Sequence, residues 1–285
     1  MWRGAGGASG SAQQRIFWGL NQALGQAGYH CVLLDLGGSD GPERQTAERE
    51  AMHLRYALDS AFAGMIFYAY AYHDNSELIQ EVAQRMPTVL IDRMVAGVDA
   101  DFVGSQNRKA MFEATNYLIE QGHRRIAYLT RTEAINPVQD RLQGYLTAMH
   151  GAFGLNAQEI VLTAAPSDSH DWFVSDTIFR LPPEERPTAV LCVNDVEAMR
   201  LSERLEALGL SIPGDVSVIG FDNIIRALPD GLGLTTVAQS FEEIGKSAAK
   251  QFLRRVADPA LPHTRIEIPT HLVIRESTLP IDVSH

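Results

Sequence analysis

Short runs of β-branched and aliphatic residues alternate with longer stretches of helical period along this whole chain, and that alternation limits the possible folds more than any other feature. It is the pattern that builds βαβ units and parallel sheets, because each crossover between parallel strands needs a helix to cover the sheet. Strands are expected at 31–36, 65–69, 88–91, 101–104 and 126–130, with helices at 13–27, 43–58, 75–85 and 107–120 between them. The first helix repeats Ile16, Leu20, Leu24 and Ala27 on one face and stops at Gly28. The pattern then restarts, with helices at 138–153, 172–179 and 196–208 and strands at 160–162, 189–193 and 216–220. A strand at 234–237, a helix at 242–256 and an extended segment at 265–275 close the chain. The fold class is therefore α/β with two doubly wound lobes, the break falling near 130–135. A helix that follows the second lobe has to pack back onto an existing one, so the chain crosses between lobes several times. The expected lobes are 1–131 with 239–261, and 132–238 with 262–285.

Length and composition fit this reading: 285 residues, 45% apolar and 21% charged, suffice for two cores without staples. The net charge of −11, with scattered basic residues, argues against direct nucleic-acid binding by this chain, since phosphate neutralisation needs clustered cations. Cys31 and Cys192 lie in separate apolar runs, which fits free thiols in a reducing compartment, the cytoplasm. No apolar run has membrane length and no secretory leader is legible, so no membrane association is expected. Zinc spacings, HExxH, a nucleophile elbow and a placed GxGxxG are all missing, and no cofactor, metal or catalysis is expected.

Leu118-Ile119-Glu120-Gln121-Gly122-His123-Arg124-Arg125-Ile126-Ala127 and Arg141-Leu142-Gln143-Gly144-Tyr145 are similar to the "LGHRRIA" and "RLxGY" stretches of the LacI (lactose-repressor) family of transcriptional regulators. Pro187-Thr188-Ala189-Val190, Asn194-Asp195 and Ile212 to Asn223 are similar to "PTAV", "ND" and "IPxDVSVIGFDD". Leu234 to Gln239 and Arg275-Glu276-Ser277-Thr278 match the closing signatures. The resemblance spans roughly residues 12 to 280. It implies two Rossmann-like lobes of periplasmic-binding-protein type joined by three crossovers, with a small polar effector, best a sugar, held in the cleft between them. It also implies homodimerisation, and operator DNA bound only through a helix-turn-helix headpiece that these residues do not include. The family's first core strand is expected to be missing here or reduced to Met1-Trp2.

Open α/β lobes bind ligands beyond the carboxyl ends of their strands. Asp222 follows such a strand, and the resemblance makes it a ligand carboxylate; the plainer reading is a helix N-cap. Asn194 faces the cleft by resemblance, with Asp195 as the cap of the next helix. Arg141 offers fixed donors to hydroxyls or a carboxylate, or else forms a surface salt bridge. Asp92 and Arg93 reach the cleft by resemblance, or pair with each other. Trp172 either stacks on the ligand or fills a core. Tyr68, Tyr70 and Tyr72 share one face by the two-residue period, and Tyr70 is the candidate for the cleft. Ser11 and Gln13, with Ser9, form a small polar rim before the first helix, and Gln239 closes the set. The alternatives are a periplasmic-type sugar-binding protein of a transport system and, less favoured, a sugar-processing enzyme.

Overall fold

The computed structural model describes residues 12–36, 43–71, 73–132, 135–164 and 177–281. In chain order the first elements are α1 (Ala12–Gln26), α2 (Glu43–Asp59), β1 (Met65–Phe67), α3 (Ser76–Arg85), β2 (Thr88–Ile91), β3 (Asp101–Ser105), α4 (Asn107–Glu120) and β4 (Ile126–Arg131). Then come α5 (Asn136–Phe153), β5 (Ile160–Ala164), β6 (Ala189–Cys192), α6 (Asp195–Ala207), β7 (Ser217–Asp222), β8 (Thr235–Ala238), α7 (Phe241–Ala257), β9 (Arg265–Ile268) and β10 (His271–Val273). Apart from the expected strand at 31–36 and the expected helix at 172–179, the order of elements follows the alternation read from the sequence.

Two compact units result: Met1–Ser105 with Ser240–Pro269, and Gln106–Gln239 with Thr270–His285. The chain passes from one to the other three times, after Ser105, Gln239 and Pro269. The division differs from the expected one in two places. β4 pairs with β5 and β6, so 106–131 belongs to the second unit, and β9 pairs with β3, so Arg265–Ile268 belongs to the first. Periodicity identifies a strand but not the sheet it joins, which is the physical reason for both differences.

The first unit holds a parallel sheet in the order β1-β2-β3-β9. β2 and β3 are buried along their whole length, as expected of parallel strands covered by helices on both faces. Helix α1 buries Ile16, Leu20 and Leu24 and lies close against α7, whose buried stripe includes Ile244, Ala248, Ala249 and Phe252. The approach needs glycines: a Cβ on Gly19 would stand 2.1 Å from the Glu242 carbonyl oxygen, and one on Gly245 2.0 Å from that of Ile16. Beneath α7, Arg255 and Asp101 form a buried ion pair at 2.9 Å, supported by Gln251 and the Thr264 amide. Burial works against the Asp101 charge, but these partners hold its pKa below the ordinary value.

The segment 31–36 is not the strand its composition promises. Only Asp35 carries a bridge, and Val32 and Leu33 are 62% and 47% exposed. Cys31 to Leu34 instead form one wall of a groove of about 140 Å³, shared with Phe17, Leu20 and Leu24 of α1 and with Met65 and Ile66 of β1. An apolar run becomes a strand only when a neighbour completes its ladder. Cys31, in this wall, and Cys192, in β6, are both free thiols.

The second unit holds a six-stranded sheet, β10-β8-β7-β6-β4-β5, parallel except for β10. Its core packs Leu129, Phe179, Val190, Leu201, Leu205, Val218 and Leu234, each fully buried aliphatic side chain contributing roughly 1.5–3 kcal/mol. Of the expected helix at 172–179, residues 177–179 lie in a short 3₁₀ turn, Thr177–Arg180, and the rest falls outside the described residues. No helix among the described residues is long and apolar enough to cross a membrane.

Candidate functional site

In the second unit the polar groups gather where β6 and β7 end. Arg141, on the first turns of α5, is buried rather than at the surface, so the salt-bridge alternative in its surface form is excluded. Its Nε donates to Asn107 Oδ1 at 2.8 Å and its Nη1 to the Val193 carbonyl at 2.6 Å. The guanidinium lies 3.7 Å from the centroid of the Phe221 ring. Its Nη2 stands 3.7 Å from Asp222 Oδ1, near enough for charge attraction but too far for a hydrogen bond. A buried guanidinium is tolerable only when its charge and donors are met, and here they are met at the strand ends.

Asp222, the last residue of β7, is not a helix cap. It has φ 110°, and Asn223 after it has φ 57°. Such values are strained for non-glycine residues, and they persist only where the surroundings over-determine them. Gln239 Nε2 donates to Asp222 Oδ1 at 2.6 Å, which orients the carboxylate. Arg275 Nη2 donates to Asn223 Oδ1 at 2.7 Å and holds the neighbouring side chain.

The cap of α6 falls on Asn194 and not, as expected, on Asp195. Asn194 is the N-cap of α6, its side-chain oxygen accepting from the Glu197 amide at 2.8 Å. Asp195 caps nothing in its own helix. Fully buried, it reaches under the β7 end, where burial pushes its pKa up to about 6 against the pull of Thr236, Ile225, Ile224 and Arg275. Two adjacent polar residues at a helix start are both good caps, and sequence alone does not separate them.

The first unit presents a different chemistry at its strand ends. Arg93, just past β2, lies over the rings of Tyr68 and Tyr70, 4.9 and 5.1 Å from their centroids. The shared face read from the two-residue period therefore holds for this pair, while Tyr72 lies outside the described residues. Asp92 has φ 62°, so each unit places a positive-φ acid at a strand end. Burial raises the Tyr68 pKa well above the ordinary value; Arg93 opposes the rise and Asp92 adds to it. Gln13 sits half-buried on the first turn of α1, and Ser9, Ser11 and Trp172 lie outside the described residues.

Sequence reasoning missed Glu50. It is fully buried on α2 and accepts from the amides of Tyr70 and Ala71 at 2.7 and 3.1 Å and from Asn75 Nδ2 at 3.1 Å. Desolvation raises its pKa even so. A signal was present, since Glu50 is an acid inside the apolar stripe of Ala47, Ala51, Leu54 and Ala57. Asn107, the partner of Arg141, also went unread. None of the proposed ligand residues lines the groove beside 31–34, and no group of three His, Cys, Asp or Glu among the described residues is placed to hold a metal.

Comparison with known proteins gives a consistent picture. A family model described as a periplasmic binding protein-like domain matches residues 115–278. The HTH-type transcriptional repressor PurR of Vibrio vulnificus (strain CMCP6) is 30% identical over 267 residues, covering 93% of this chain and 76% of that protein. The ribose operon repressor of Escherichia coli (strain K12) is 28% identical over 260 residues, covering 91% of this chain and 76% of that protein. Among solved structures, a LacI family transcriptional regulator from Enterococcus faecium with bound ribose has a TM-score of 0.75 over 95% of each chain at 23% identity, a likeness of fold.

Proposed function

We propose, from the premise that this chain belongs to the LacI family of transcriptional regulators and carries its periplasmic binding protein-like domain, that it senses a small polar effector, best a sugar, through residues at its strand ends. The observation that carries the reading is the Arg141, Asp222 and Gln239 cluster: a buried cation, a strained carboxylate and an amide that orients it, all at the carboxyl ends of strands. A carboxylate accepts two hydroxyl hydrogen bonds and a guanidinium donates in a fixed plane, which together suit a polyhydroxylated ring. Asp222, Arg141, Asn194 and Gln239 are the contacts from the second unit. On the first unit, taken by itself, Asp92, Arg93 and Tyr70 are the candidates, Tyr70 offering a ring face to the apolar side of a sugar.

Ribose is named for the Escherichia coli repressor and is bound in the Enterococcus faecium structure, which makes pentoses the first class to try. The full protein acts in the cytoplasm as a homodimer that reaches operator DNA through a headpiece, and effector binding shifts its DNA affinity by reciprocal linkage. A transport-type binding protein is disfavoured by the repressor relatives.

A thermal-shift screen of the purified chain against sugars, sugar acids, sugar phosphates and nucleobases tests the reading, because a ligand that binds only the folded state raises Tm by mass action. A rise with one sugar class, lost in Asp222→Ala, is expected. A rise only with nucleobases overturns the sugar assignment, and a rise that survives Asp222→Ala removes the cluster from the site.

A further inference from the structure

The β7 end keeps a costly shape. Two successive non-glycine residues, Asp222 and Asn223, take positive φ; aspartate and asparagine enter the left-handed region more readily than other side chains, but φ 110° at Asp222 lies outside that region, and the pair in succession needs support from its surroundings. The next two residues show how it is held. Asp195 Oδ2 accepts from the amides of Ile224 and Ile225 at 2.7 and 3.1 Å, so one carboxylate oxygen grips the two peptide units that leave the strained pair. The other oxygen, Oδ1, accepts from Thr236 Oγ1 at 2.5 Å, which ties the carboxylate to β8, the strand beside β7.

Gly220 completes the arrangement. A Cβ there would stand 2.3 Å from Asp195 Oδ1, so the glycine in Val218-Ile219-Gly220-Phe221-Asp222 leaves the space that the carboxylate occupies. The first unit repeats the device with different parts: Glu50 grips the amides of Tyr70 and Ala71 beyond β1, and its second oxygen takes the Asn75 amide.

We propose that Asp195 is a positioning residue for effector recognition: its carboxylate, seated over Gly220 and tied to Thr236, fixes the strained Asp222–Asn223 turn so that the Asp222 carboxylate is presented in one orientation. Asp195 touches no ligand. It acts through the backbone of Ile224 and Ile225, and the proposal rests on the reading of Asp222 as an effector contact.

The test compares the full chain with Asp195→Ala and Asp195→Asn by amide hydrogen exchange at Ile224 and Ile225 and by calorimetric titration with D-ribose. Asn keeps an oxygen for the two amides; Ala removes it. In Asp195→Ala both amides exchange at least about tenfold faster, while Val218 and Ile219 keep their protection, and ribose affinity falls about tenfold, the scale of one net hydrogen bond. In Asp195→Asn both properties stay near wild type. Thr236→Val, a milder change, moves both in the same direction by less, and serves if Asp195→Ala unfolds.

Unchanged exchange at Ile224 and Ile225 in Asp195→Ala overturns the proposal, and so does faster exchange with unchanged ribose affinity. If wild type binds no ribose, the pentose reading fails by itself, and the exchange rates still decide whether Asp195 holds the turn.

Discussion

The two units solve one problem with different side chains. Each holds a loop beyond the end of a parallel strand, and each does so with a fully buried carboxylate that takes two successive amides, Glu50 in the first and Asp195 in the second. The loops so held differ in chemistry. The second unit presents charge in a locked geometry, with Arg141 tied to Asn107 and Val193 and Asp222 tied to Gln239. The first presents aromatic faces stacked on Arg93, an arrangement that tolerates small displacements because ring contacts are less directional than hydrogen bonds. On the proposed reading, the second unit's cluster would select by direction and the first unit's rings by area.

The largest effect that would sharpen this contrast comes from Arg141→Ala. It removes a proposed effector contact and leaves the Asn107 and Val193 acceptors without the Arg141 donor, so effector binding is expected to be lost and the chain destabilised by roughly 1–3 kcal/mol. Chemical denaturation with and without ligand checks both parts. Asp222→Ala is expected to abolish binding as completely while lowering Tm less than Arg141→Ala does, since Arg141 keeps its hydrogen bonds to Asn107 and Val193; a fall in Tm as large as that of Arg141→Ala would make Asp222 structural instead.

In the first unit, Tyr70→Ala is expected to weaken binding by about tenfold and Tyr70→Phe by much less, because the contact offered is a ring face. Equal losses in the two variants would show that the hydroxyl matters, and would break the division between direction and area. The smallest effect concerns pH. The Asp195 pKa is raised to about 6 from an ordinary value of 3.8, so the stability of its protonated form is fully present below 3.8 and is lost as pH rises to about 6. Asparagine mimics the neutral form. The Tm of Asp195→Asn minus that of wild type should therefore be more positive at pH 7.5 than at pH 5, and a difference of the opposite sign would contradict the assignment.

Much of this was legible from the residues. Strand and helix alternation follows from hydrophobic period, and β2 and α4 fall where the period places them. Asp222 stands out in the sequence because strand ends are where such folds keep their chemistry, Arg141 as a cation at a helix start and Gln239 through the closing signature, and the structure brings these three together. The features that were not legible depend on partners distant in sequence. Nothing local tells that 126–131 pairs with β6 and not with β3, or that 31–36 forms a groove wall. Glu50 and Asp195 act on amides 20 and 29 or more residues away; the apolar stripe around Glu50 marks it as a buried acid, but nothing local tells which amides either carboxylate takes. The glycine of the β7 motif makes sense only once the carboxylate above it is seen.

The central claim is that effector recognition lies at the strand ends, with the second unit's charged cluster giving it direction. Amide hydrogen exchange of the whole chain, with and without a saturating sugar from the screen, tests it most directly. The account predicts new protection at 220–225 and 193–195, with a weaker change at 68–71 and 92–93. Protection confined to the groove of Phe17, Leu20 and Val32, with the strand ends unchanged, would contradict it.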